Sequence, residues 1–171
     1  MQTRGRGRAA GFSAIELAVS IAIIIVFVAV LLDRMLYYEE AAEKADMEYT
    51  ANVLRSALLI QWGTLMAEGR TGDYHKLLEQ NPVGWLEQPL KNYAGELIAG
   101  DPSWLRQGSW YYDARYAELV YLVNSGHYFH PDASGLKRVR FKVQAVWGPG
   151  PEGKQNIISL HFAPVEPYRW F

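Results

Sequence analysis

The chain has 171 residues, 50% of them apolar and 20% charged, with a formal net charge of -1. That balance excludes a disordered chain and a polybasic nucleic-acid binder. There is no cysteine, which excludes a disulfide scaffold, a thiolate metal centre and a cysteine nucleophile.

Residues 1–11 carry Arg4, Arg6 and Arg8 and no acidic side chain. From Phe12 to Leu32, 18 of 21 residues are apolar, and only Ser13, Glu16 and Ser20 interrupt the run. As a helix this run spans roughly 30 Å, the thickness of a bilayer's hydrocarbon core. Asp33 and Arg34 end it. The arginines precede it, so the positive-inside rule holds the short end in the cytoplasm and sends the rest across the membrane. The same rule reads Arg4, Arg6 and Arg8 as a topology signal, not as an RNA-binding repeat.

Three readings compete for the run. A cleaved secretory signal peptide has a shorter apolar core and a small-residue cleavage site after it. A plain signal anchor leaves Glu16 unexplained, because a carboxylate in a membrane helix costs about 2.5–3.5 kcal/mol on insertion scales. The third reading gives Glu16 a purpose. The basic leader, Gly11, Phe12, Glu16 and the unbroken apolar run together resemble the class III signal sequence of type IV pilins and type II secretion pseudopilins. The resemblance implies cutting by a prepilin peptidase between Gly11 and Phe12 and methylation of the new Phe12 amine. It also makes Glu16 the fifth residue of the mature chain and an assembly residue, paired with the Phe12 amine of another subunit. The implied partners are the peptidase, other pilin or pseudopilin subunits, an inner-membrane assembly platform and the lipid bilayer. The implied location is the inner membrane in a single pass, with a periplasmic head, and then a filament. The rival is a signal-anchored periplasmic binding or enzymatic domain that never polymerises.

No proline occurs before Pro82 and no glycine between Gly11 and Gly63. An uninterrupted helix over residues 12–68 would be about 85 Å long. Its first part, 12–32, is the membrane or filament-core segment. Its second part, 33–68, is amphipathic and forms the spine of the head. Two apolar rows run along it. One is Tyr38, Ala42, Ala45, Tyr49, Val53 and Ala57; the other is Met47, Ala51, Leu54, Leu58, Gln61 and Leu65, with only Gln61 polar. Glu39, Glu40, Glu43, Lys44, Asp46, Glu48 and Arg55 lie between them as the polar positions.

Residues 69–108 form an irregular connector with a short helix over 74–79, stopped by Asn81 and Pro82. Residues 109–171 are β. Segments 109–112, 116–124, 137–147 and 156–163 are the strands. In the third, Val139, Phe141, Val143, Ala145 and Trp147 face one way; in the fourth, Ile158, Leu160 and Phe162 do. One buried face and one wet face imply an antiparallel sheet covered on one side, with a hairpin loop over 148–153. The expected fold is therefore α+β and pilin-like: one very long helix packed on a four-stranded antiparallel sheet.

Chemistry in the head is sparse. His127 and His130 are three apart, without a third ligand at suitable spacing. Asp101, Asp113, Asp132 and Glu152 stand on separate loops, so calcium, which needs several clustered carboxylates, is not indicated. No cofactor and no catalytic constellation is expected.

Overall fold

The computed structural model describes residues 13–98, 102–149 and 155–171. The fold is α+β, with a long N-terminal helix and a five-stranded mixed sheet. Helix α1 is Ala14–Ala67, and it runs through Asp33 and Arg34 without interruption. The chain forms two compact units, one up to Tyr38 and one over Glu39–Phe171.

In the second unit α1 ends at a Gly69 with φ +68, the left-handed conformation that suits a residue without Cβ. Helix α2 is Tyr74–Glu79, over the residues the sequence assigned to it. Asn81 then caps a 3-10 turn at Pro82–Trp85 by accepting from the Val83 N–H at 3.0 Å. The strands are β1 (Tyr93–Leu97), β2 (Trp110–Asp113), β3 (Glu118–Leu122), β4 (Arg138–Pro149) and β5 (Gln155–Pro164), side by side in that order. β1 pairs parallel with β2, and the other pairings are antiparallel.

Three expectations are corrected. The sheet has five strands and is mixed, because the supposedly irregular connector contains β1. That strand lacks a periodic apolar signal: Gly95 sits mid-strand at φ +106, and the register with β2 breaks between Tyr93 and Glu96. The central strands are also not wet on one face. Every residue of β2 and β3 is buried. Trp110, Tyr112, Leu119 and Tyr121 point into the main core, while Tyr111, Val120 and Leu122 pack with Leu105 in a second, smaller cluster. Finally, the face assignment at the far end of β5 reverses. The ladder slips between Val146 and Trp147, so Val146 pairs with Ser159 but Trp147 with Ile157. A one-residue slip exchanges the faces. Ile157 therefore packs on the core and Ile158 is exposed, while Trp147 keeps its expected face, half-exposed with its ring 6.2 Å from that of Tyr74. Residues 150–153 of the expected hairpin loop lie outside the described residues.

The main core joins Met47, Leu54, Leu58 and Trp62 of α1 to Trp110, Phe141, Leu160 and Phe162 of the sheet. Phe141 stacks on Phe162 with ring centroids 5.4 Å apart and meets Trp110 at 5.8 Å. Such aromatic pairs contribute about 0.5–1.5 kcal/mol each beyond their buried area. Of the two helical rows read from the sequence, the second faces this core. Most of the first, including Tyr38 and Tyr49, is exposed.

Candidate functional site

Two places on α1 carry groups whose environment calls for a partner. The first is the apolar stretch up to Tyr38. It is long and apolar enough to cross a membrane, and none of its most apolar window is buried. Ile15, Ile24, Phe27, Leu31 and Met35 are all exposed. Glu16 stands in the first helical turn among them. Its carbonyl accepts from the Ser20 hydroxyl at 2.8 Å, a back-bond that occupies a polar group within the helix. No cation pairs with the Glu16 carboxylate among the described residues. Gly11, Phe12, Arg4, Arg6 and Arg8, the expected processing and topology residues, lie outside the described residues.

The second place is the start of the head, where α1 presents acids inward. Glu40 is 1% exposed. Its carboxylate accepts from the His127 N–H at 2.6 Å, the Tyr128 N–H at 3.1 Å and the indole N–H of Trp170 at 3.0 Å. One turn on, Glu43 accepts from the Tyr121 hydroxyl, the Asn124 N–H and the Ser125 N–H. Glu48 accepts from the Tyr168 hydroxyl at 2.9 Å. Burial, with Glu43 beside it, pushes the Tyr121 hydroxyl pKa upward. Burial and Glu48 push that of Tyr168 up to about 12. The three carboxylates thus clasp the turn after β3 and the chain's last residues to the helix. Trp170 is 3% exposed, and Phe129 meets it edge-on at 5.1 Å.

The sequence reading placed these glutamates among the polar positions. The structure buries Glu40 because it lies seven residues before Met47, on the row that continues through Ala51, Leu54 and Leu58. Extending the core row backwards by two turns would have found it. The other chemical candidates disperse. His127 and His130 gather no third ligand, and no group of three metal-binding side chains occurs among the described residues. Asp132 accepts from the Ser134 N–H and hydroxyl, the Leu136 N–H and the Arg138 guanidinium. Burial works to raise its pKa, but Ser134, Arg138 and Leu136 outweigh it and hold the carboxyl near 2. Asp113 holds Arg115, and Asp101 and Glu152 lie outside the described residues. Comparison with protein-family models, curated proteins and solved structures returns no match.

Proposed function

We propose that the chain is a pseudopilin or minor pilin, a structural subunit of a type II secretion or type IV pilus-like filament. A prepilin peptidase cuts it between Gly11 and Phe12, and it polymerises from the inner membrane, head in the periplasm. The observation that carries the reading is Glu16: a carboxylate near the start of an exposed apolar helix that continues as the spine of a folded head. A membrane anchor has no use for that charge. A helix that must leave lipid and enter a bundle of its own kind does.

The mechanism follows from charge burial. Cleavage creates an amine at Phe12, four residues before Glu16. In a low-dielectric bundle neither charge is tolerable alone, and an opposite charge from a neighbouring subunit compensates both. Pairing Phe12 of one subunit with Glu16 of another therefore favours insertion and sets the axial register. Removing the leader takes away three arginines, and the mature chain carries a formal charge of -4 (-1 minus 3). The function is mechanical and needs no cofactor.

Mass spectrometry of the protein purified from its membrane tests the reading. The expected chain begins at a methylated Phe12. A chain beginning at Met1, or one cut beyond Leu32, overturns it in favour of a signal-anchored periplasmic domain or a secreted one.

A further inference from the structure

Asp46, Thr50 and Val53 follow one another at four- and three-residue steps, which places them on one face of α1. In the head this face forms a wall of a groove of about 440 Å³, within the size range of small-ligand sites. The facing wall is the segment after the 3-10 turn, with Leu86 and Leu90 as its apolar side chains. Beneath lies Trp110 of β2, which is 3% exposed.

Trp110 carries the argument. A buried indole N–H ordinarily meets an acceptor, as that of Trp170 meets Glu40. The Trp110 indole N–H has no acceptor among the described residues. Nor is it sealed away: the one enclosed side-chain polar atom without a partner among the described residues is Arg140 Nε. The groove is the open space that Trp110 borders, so the donor is free to serve an acceptor placed there. The walls add charge. Asp46, Glu87 and Lys91 all line the groove, and none has an ion-pair partner among the described residues. Two acids against one base leave an excess of negative charge, which attracts a cation.

We propose that this groove binds a small organic ammonium bearing an apolar group and a carbonyl oxygen, the chemistry shared by amino-acid amides and the N-terminal residues of peptides. The ammonium pairs with Asp46, the carbonyl accepts from the Trp110 indole N–H, and the apolar group lies between Val53 and the leucines of the facing wall. The excess of acid favours the amide, with its net positive charge, over a free amino acid. The concave shape, with its donor on a side chain 3% exposed, favours a small ligand over a second folded head. The proposal goes beyond the filament reading and does not rest on it.

The test follows the assigned indole N–H resonance of Trp110 by NMR, in the full chain in detergent micelles. L-leucinamide is titrated at about pH 6, where its amine is protonated. The resonance should shift and saturate at millimolar leucinamide. N-acetyl-L-leucinamide, which lacks the charge, should bind at least about threefold more weakly. Asp46→Asn, at an exposed position, should weaken leucinamide by a similar factor and abolish the difference between the two probes. A pentapeptide of leucine followed by four glycines separates the two sources of this chemistry: if it binds as leucinamide does, peptide N-termini are ligands, and if it does not, the ligand is a small amide. A Trp110 resonance that leucinamide leaves unmoved overturns the proposal, water then being the acceptor. So does equal binding of the two leucine amides, or an Asp46→Asn protein that still prefers the charged one. A resonance that shifts with protein concentration alone overturns it in favour of a second copy.

Discussion

Glu16 and Glu40 occupy the same helix and are chemically identical, yet their surroundings are opposite. Glu16 has no donor cation among the described residues and stands among exposed isoleucines, leucines and valines. Glu40 is buried and surrounded by donors from the turn after β3 and from the chain end. One carboxylate meets its donors within the head; the other has no cation partner among the described residues. A buried acceptor that meets its donors specifies a fold, whereas an unpaired one among apolar residues is what the proposed assembly would satisfy.

Removing each in turn gives the largest expected effect. Glu40→Ala strands the Tyr128 amide and the Trp170 indole in a dry site, and unpaired buried donors cost about 1–3 kcal/mol each. The head should lose about 3 kcal/mol or more, read as a lower urea midpoint with an unchanged slope. Glu16→Ala should leave that midpoint where it is and instead abolish co-assembly into filaments. If Glu16→Ala unfolds the head, or Glu40→Ala costs less than 1 kcal/mol, the contrast between the two sites collapses.

The sequence discloses the long helix well, because an absence of proline and glycine over such a length admits little else. β2 to β5 are legible too, from alternation and aromatic content. β1 is not: one glycine and one exposed glutamate erase its periodicity. The face reversal at Ile157 and Ile158 is invisible for another reason. A β-bulge is a property of the pair of strands, and neither strand alone encodes it. The acid clasp is hidden by a prior: glutamates on an amphipathic helix are usually wet, and only the donors brought by a distant turn and the chain terminus make Glu40 a core residue. Of the assembly site, Glu16 is legible as an anomaly of charge. The partner proposed for it belongs to another subunit, so the single chain does not contain it.

Acid offers a second way to sharpen the contrast. Asp132 belongs wholly to the head, and its folded pKa near 2 lies below its ordinary value of 3.8. A depressed carboxyl stabilises the folded state above the ordinary value, and that contribution is lost as pH falls from about 4 toward 2. The shift corresponds to about 2 kcal/mol. Asp132→Asn should therefore destabilise the head by that order at neutral pH. The gap between variant and wild type in urea midpoint should shrink steadily as the pH approaches 2. A gap that is constant with pH would mean the asparagine disturbs the turn sterically and the charge contributes nothing.

The smallest effect separates hydrogen bonding from packing within the clasp. The Tyr168 hydroxyl donates to Glu48, and the ring packs against the core. Tyr168→Phe keeps the ring and removes only the donor. Glu48 is half-buried and water can replace the lost bond, so the cost should be about 1 kcal/mol. The pKa raised to about 12 adds a signature. A group whose folded pKa is raised stabilises fully below its unfolded value, and the effect fades as pH climbs past that value toward 12. Wild type should therefore lose more stability than Tyr168→Phe between about pH 10 and 12. If Tyr168→Phe costs as much as Glu40→Ala, desolvation of the acceptor does not set the strength of the clasp, and the difference drawn between the two ends of the helix rests on packing alone.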